Sequence, residues 1–157
     1  MEKRIKKTIK AVNEKQAKSA GDIKRIIDAN LNRCREGLRV VEDGLRFVLD
    51  DAALYKKVRR IRHDTDKILR NGYGLVICER DVLCDSGRKM PEPQKKELPD
   101  IIVANFKRAQ ESLRVLEEYS KTVFAGACGA FKKQRYAAYN AEKEVFLKYK
   151  KYFDNKK

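Results

Sequence analysis

Several features that point directly to a function are missing from the sequence. No Gly-x-x-x-x-Gly-Lys-Ser/Thr or Gly-x-Gly-x-x-Gly segment occurs, and the eight glycines are scattered, which excludes a familiar glycine-rich phosphate loop. The four cysteines contain no Cys-x-x-Cys pair and His63 is the only histidine, which argues against a zinc site and favours reduced thiols. No Ser/His/Asp or Cys/His arrangement of a nucleophilic enzyme is recognisable.

Long apolar runs are also absent. No segment approaches the ~20 apolar residues of a membrane span, and the charged N-terminus has no apolar core of a signal peptide behind it. We therefore expect a cytoplasmic protein without a membrane partner. The 157 residues, 42% of them apolar, fit one domain with a core of its own, and we assign residues 21–157 to it.

Positive charge is in excess. The formal net charge is +15, and a field of that sign attracts polyanions such as nucleic acids, nucleotides and phosphorylated metabolites without choosing among them. Residues 1–18 hold seven Lys/Arg and two Glu, so we interpret residues 1–20 as a basic N-terminal arm. Such an arm is commonly a solubilising or disordered segment.

An internal repeat is the strongest pattern in the chain. Residues 26–42 match residues 101–117 at a constant offset of 75, with ten identities in seventeen positions. A weaker match at an offset of 76 pairs residues 54–66 with residues 130–142. Each unit therefore has the form helix–turn–helix, and the chain divides into repeat one (22–70), a connecting loop (71–100) and repeat two (101–152).

The apolar residues of each first helix recur at alternating steps of four and three, which places them on one stripe. In repeat one the stripe comprises Ile27, Leu31, Cys34, Leu38, Val41, Leu45 and Val48. Asp22 and Asp100 are candidate N-caps of the two first helices. Two such hairpins predict an all-α four-helix bundle with an internal pseudo-two-fold axis. Gly37, in mid-helix, implies a packing or ligand requirement.

Polar residues are duplicated together with the stripe, and a shared fold alone does not require this. The candidate phosphate- or substrate-binding set is Asn30, Arg33, Glu36 and Arg39, with Asn105, Arg108, Glu111 and Arg114 as its second copy. Arginine beside asparagine at the edge of a core stripe can grip a phosphate. The alternative is an ordinary surface ion pair, because Glu36, Arg39 and Glu42 are three residues apart.

The loop between the repeats carries a second candidate cluster. Arg80 offers an anion-binding fork, Asp81 and Asp85 offer two hard oxygen ligands for Mg²⁺, and Gly87 adds backbone freedom. We take Arg80, Asp81 and Asp85 as candidate catalytic residues, since phosphoryl transfer needs a metal and positive groups around the phosphate. The alternative is a polar turn, which the spacing alone favours.

The order of these motifs resembles one family. Ile26-Ile-Asp-Ala-Asn-Leu-Asn-Arg33, then Glu79-Arg-Asp81, then Ala104-Asn-Phe-Lys-Arg108 is similar to the small helical hydroxymethylpyrimidine phosphate kinase domain often fused to the N-terminus of thiamine phosphate synthase. The resemblance spans roughly residues 22–145. The chain departs from the family pattern at Leu83-Cys84 and in the Asp-Ser-Gly ending of the loop, and we expect a standalone form.

The resemblance implies transfer of a phosphate from ATP to the pyrimidine monophosphate, with Mg²⁺, and a possible thiamine phosphate synthase partner. On these motifs we place the arginines at phosphates, Asp81 and Asp85 at Mg²⁺ or the acceptor phosphate, and the asparagines with Glu36 at the ring or metal. A basic nucleic-acid-binding bundle is a rival, although no nucleic-acid motif occurs. A non-catalytic regulatory or assembly module is another, and a homodimer stays open.

Overall fold

The computed structural model describes residues 2–89, 91 and 97–154, and all its regular secondary structure in this part of the chain is helical. The α-helices are α1 (Glu2–Asp43), α2 (Ala52–Ile68), α3 (Tyr73–Ile77), α4 (Leu98–Val123), α5 (Cys128–Lys148) and α6 (Lys150–Asp154). A π-helical turn, Gly44–Val48, follows α1, and 3-10 turns occupy Arg70–Gly72, Ser86–Lys89 and Ala125–Ala127.

The four long helices form the predicted bundle. Helix α1 packs against α4 and α2, and α5 closes the ring by packing against the same two helices. Gly37 meets Asn105 and Gly44 meets Ile102, so α1 and α4 run antiparallel. The predicted all-α fold is confirmed.

The predicted stripe is buried along nearly its whole length. In repeat one, Val48 is the exception at 59% exposed, whereas Ile27 and Leu45 are fully buried. The change to a π-helical turn at Gly44 explains the difference, because a wider turn shifts the phase of the residues that follow it. The stripe of α4 is buried from Ile102 to Ser120.

The predicted helix starts are wrong. Helix α1 begins at Glu2 and continues through Asp22, so Asp22 caps nothing and residues 2–20 of the basic arm are helical. Lysine, glutamate, alanine and glutamine are good helix formers and leave no stop signal there. The N-cap of α4 is Glu97, with Pro99 in the first turn where proline is tolerated, which puts Asp100 inside the helix.

Each hairpin is followed by a short third helix that the sequence comparison did not predict. Helices α3 and α6 each bury one apolar residue, Val76 and Phe153, at an offset of 77. The first part of the predicted irregular loop, 71–100, is therefore a repeat element. Five residues are too short a segment for apolar periodicity to reveal a helix.

Equivalent buried glutamates connect the two long helices of each hairpin. Glu42 is fully buried and accepts from Arg62 Nε at 2.6 Å, and Glu117 accepts from Arg135 Nε at 2.9 Å. The two arginines do not occupy equivalent positions, whereas the two glutamates do. A second equivalent link joins Arg35 to Asp66 at 2.9 Å and Gln110 to Glu142 at 2.7 Å. Much of the duplicated polarity therefore holds the hairpins together.

Buried Asp51 joins the start of α2 to the end of α5. Its Oδ1 accepts from the backbone N–H of Ala53 and Leu54, and its Oδ2 accepts from Lys148 Nζ at 2.6 Å and Tyr149 OH at 2.9 Å. Burial raises the pKa of Asp51, but hydrogen bonds led by that from Lys148 outweigh it and lower the pKa below its ordinary value of 3.8.

We expect Gly37→Ala to destabilise the bundle even though alanine is the better helix former. A Cβ at this position would lie 2.8 Å from the backbone oxygen of Asn105, so α1 and α4 would have to separate. The cost of such overpacking is about 1–3 kcal/mol, which lowers Tm by roughly 2–10 °C. Gly129→Ala is the matched control, because nothing lies within 4 Å of its Cβ position. Equal Tm values for the two variants would contradict the close contact.

The stability contributed by ionised Asp51 depends on pH in a defined direction. Because its pKa is lowered in the folded state, the contribution is complete above the unfolded pKa and is lost as the pH falls through the folded value. We expect Asp51→Asn to unfold at lower denaturant concentration at neutral pH and to approach the parent protein as the pH falls through the lowered pKa of Asp51. Asp64→Asn, at a surface pair with Lys67, controls for general charge loss. A pH-independent gap for Asp51→Asn would refute the assignment.

Candidate functional site

An ion pair anchors the connecting loop to α1. Arg80 donates from Nε and Nη2 to the two carboxylate oxygens of Asp28, at 2.6 and 2.7 Å, and Asp28 is buried. Hydrogen bonds to Asp28 and Tyr73 raise the pKa of Arg80. The guanidinium that we predicted as a catalytic anion fork therefore faces a carboxylate of the protein itself.

The next residues of the loop form tight turns. The Asp81 backbone carbonyl accepts from Arg25 Nη2 at 2.7 Å, and Asp81 Oδ1 accepts from the N–H groups of Leu83 and Cys84. Hydrogen bonds from Cys84, together with the charge of Arg25, lower the pKa of Asp81. Asp85 Oδ1 accepts from the N–H of Gly87 at 2.8 Å. The polar-turn alternative thus describes this segment, since one carboxylate oxygen of each aspartate accepts backbone N–H groups of its own turn, and the N–H of Gly87 is one of these donors.

The anchored loop, α1 and α4 enclose an open cleft of about 580 Å³, which we call the loop cleft. Its lining is Asp22, Arg25, Ile26, Ala29, Asn30 and Arg33 from α1, Cys84, Asp85 and Ser86 from the loop, and Val115 and Tyr119 from α4. Three of the predicted residues, Asn30, Arg33 and Asp85, therefore meet at one concavity. The α4 part of the lining is one apolar and one aromatic residue, and the α1 part includes two arginines, Arg25 and Arg33.

Among the predicted cations, Arg33 is the one available to a ligand in this cleft. It is exposed, and within the described part of the chain it has no ion-pair or hydrogen-bond partner. Asn30 is buried and its Nδ2 donates to the Ile26 carbonyl at 2.9 Å, which fixes the orientation of the amide. The cleft thus offers a free guanidinium beside an oriented amide, a combination suited to a phosphate.

Two other predicted residues of repeat one lie elsewhere. Glu36 and Arg39 border a separate groove between α1 and α2. Arg39 pairs with Glu42 at 3.5 Å and with Asp43 at 3.4 Å, so the surface ion-pair alternative describes it. In repeat two, Arg114 makes the equivalent pairs with Glu117 and Glu118.

The second copy of the predicted set, Asn105, Arg108, Glu111 and Arg114, does not border the loop cleft. Asn105 lies instead at the crossing of α1 and α4, where its backbone oxygen is 2.8 Å from the Cβ position of Gly37. Asn105 repeats the local bond of Asn30 by donating to the Ile101 carbonyl at 2.8 Å, and Glu111 is exposed. Val115 and Tyr119 are the residues that α4 contributes to the loop cleft.

Asp85 is the aspartate that fits a metal-binding role at the cleft. Among the described residues there is no group of three or more His, Cys, Asp or Glu side chains that could hold a metal ion. Mg²⁺ commonly takes one or two carboxylates and completes its shell with phosphates and water. Asp85 borders the cleft, whereas Asp81 does not, so a nucleotide-borne Mg²⁺ would use Asp85.

Identity between the repeats does not predict two of the cleft residues, Arg25 and Tyr119. At the offset of 75, Arg25 aligns with Asp100 and Tyr119 aligns with Gly44, so both positions differ between the repeats. A difference at these positions is the signal that the sequence contains. Cys34 is not a candidate nucleophile or ligand, because burial raises the pKa of its thiol to about 12.

The chain is similar in sequence to part of several known proteins. The chain is 39% identical to a thiamine-phosphate synthase of Nostoc punctiforme over 77% of its own length and 34% of that protein. It is 36% identical to the Thermosynechococcus vestitus synthase and 37% identical to that of Rhodopirellula baltica, over 80% and 79% of this chain and 36% and 34% of theirs. The chain spans about a third of the length of these relatives.

The matching family pattern covers residues 25–144, and the chain belongs to the ThiD2 family. The matched range includes most of both repeats and every residue that lines the loop cleft except Asp22. No solved structure matches the chain. Within the described residues, no helix has the length and apolar character needed to cross a membrane.

We expect Asp28→Asn to loosen the loop while the bundle stays folded. The substitution removes the charge that holds Arg80, a contact worth about 1–2 kcal/mol once the one-third exposure of Arg80 is considered (36%). Amide hydrogen exchange at Leu83 and Cys84 should then accelerate on the order of tenfold. Asp64→Asn is the control, and unchanged exchange in Asp28→Asn would show that the pair does not anchor the loop.

Proposed function

We propose that this chain is a phosphotransferase that converts hydroxymethylpyrimidine monophosphate to the diphosphate with ATP in thiamine biosynthesis. The observation that carries the proposal is the loop cleft, where Arg33 and Asn30 share one cavity with the aromatic ring of Tyr119. Membership of the ThiD2 family supports the metabolic setting, and the names of the relatives agree with it. A thiamine-phosphate synthase would be the natural consumer of the diphosphate.

The lining of the cleft suits a phosphorylated ring. Arg33 and the remaining donors of Arg25 provide positive charge for phosphates, and Asn30 provides an oriented amide. Val115 and Tyr119 provide apolar surface for a planar heterocycle. A cleft of about 580 Å³ is within the ordinary size range of small-ligand sites.

The reaction requires positioning and charge neutralisation more than covalent participation by the protein. An oxygen of the acceptor monophosphate attacks the γ-phosphorus of ATP, the bond from that phosphorus to the β,γ-bridging oxygen breaks, and ADP leaves with the electron pair. In this scheme Arg33 holds the acceptor phosphate and Arg25 lies near the transferred group. Mg²⁺, bound through Asp85 and the nucleotide, would neutralise phosphate charge.

We expect the purified chain to form the diphosphate from ATP and the pyrimidine monophosphate, and Arg33→Ala to lower kcat/KM by about 10²–10³-fold, because it removes a charged donor to the phosphate. Arg60→Ala is the charge-matched control at an exposed position of α2 and should retain nearly full activity. Product formation can be followed by anion-exchange chromatography. Undiminished turnover in Arg33→Ala would remove the cleft from the reaction.

The variant Arg108→Ala tests whether the second copy of Arg33 takes part. Since Arg108 does not border the loop cleft, we expect its kcat/KM to stay within about threefold of the parent value, with a Tm measurement to confirm folding. No diphosphate from folded parent protein would instead favour the non-catalytic regulatory or assembly alternative. Binding that is steep in salt and indifferent to the pyrimidine would favour a nucleic-acid role.

A further inference from the structure

We infer that Tyr119 is the residue that selects a planar ring in the loop cleft. Ring binding is thereby confined to the face of the bundle that carries the loop cleft, called the first face. The second face carries the residues that are equivalent to the cleft residues in the other repeat. The inference rests on the proposed function for the identity of the ring, but its evidence is the way the two faces differ. Tyr119 borders the cleft with 40% of its surface exposed, so a large part of the ring is free to contact a ligand.

The pseudo-two-fold provides an internal comparison. The residue equivalent to Tyr119 is Gly44, and a Cβ at Gly44 would already lie 3.4 Å from side-chain atoms of Ile102 and Leu98. Gly44 is buried, so this position of the second face is packed against α4 and presents no aromatic ring to a ligand. On the first face α4 presents an aromatic ring at the mouth of a cleft instead.

Comparison of the other cleft residues with their equivalents shows which residue types the two faces share. Val115 in the loop cleft corresponds to Val40, and Asn30 and Arg33 correspond to Asn105 and Arg108, so these residue types are retained on both faces. Retained types follow from the shared helical framework. The aromatic ring is specific to the face that also carries the anchored loop, which is the combination a ligand site requires.

Charge differs between the faces in the same sense. Arg25 of the loop cleft corresponds to Asp100, and Asp22 corresponds to Glu97, so the second face replaces a cation with a carboxylate. This exchange favours an anionic ligand on the first face over the second. Because the ring of Tyr119 and the cation Arg33 border one cavity, the site suits a molecule with a planar heterocycle joined to a phosphate.

Stacking on an aromatic side chain depends on the ring and not on a tyrosine hydroxyl, which separates a recognition role from a hydrogen-bonding role. Calorimetric titration of the full chain with hydroxymethylpyrimidine monophosphate should give a Kd that rises about tenfold or more in Tyr119→Leu. Tyr119→Phe should stay within about twofold. Tyr136→Leu is the matched control, since Tyr136 is an exposed tyrosine of α5 outside the cleft.

A second ligand separates the ring from the phosphate. Competition by inorganic phosphate should be unchanged in Tyr119→Leu and weakened in Arg33→Ala, because Arg33 binds the anion. The inference is overturned if Tyr119→Leu binds the monophosphate as tightly as the parent, if Tyr119→Phe weakens it equally, or if the folded parent does not bind it. Tyr119-dependent binding without diphosphate formation would refute the proposed function and leave this inference standing.

Discussion

The close crossing of α1 and α4 is the constraint on which the rest of the structure depends. At Gly37 the two backbones approach so nearly that an added Cβ would lie 2.8 Å from the carbonyl oxygen of Asn105. This contact fixes the antiparallel relation of the two repeats and buries both apolar stripes against each other. It also decides which residues of α4 border the loop cleft beside α1, namely Val115 and Tyr119.

The duplicated polar residues have different surroundings, as the buried glutamates and the exposed Arg33 show. Glu42 and Glu117 are buried and bind arginines of the neighbouring helix, so they hold each hairpin together. Arg33 is exposed at the loop cleft, and no partner within the described residues engages it. The loop that reaches that cleft is joined to α1 by the ion pair of Asp28 and Arg80.

The sequence predicted the helices well and the site only in part. Apolar periodicity identified the bundle because a buried stripe recurs over many turns, but α3 is too short for such a pattern and the start of α1 carries no stop signal. Identity between the repeats identified Asn30 and Arg33, yet it could not separate ligand-binding residues from ion pairs such as that of Arg39. It also missed Tyr119, because the equivalent residue of repeat one is Gly44 and a search for identical residues does not single out a position that differs.

The central claim is that a phosphorylated ligand occupies the cleft between α1 and the anchored loop. Cys84 borders this cleft, whereas Cys78 is also exposed but lies outside it, so the two thiols form a built-in comparison. Alkylation of both can be followed by peptide mass spectrometry with and without ATP, Mg²⁺ and the pyrimidine monophosphate. The account predicts that the ligands slow modification of Cys84 and leave Cys78 unchanged; equal rates at Cys84 with and without ligands would contradict it.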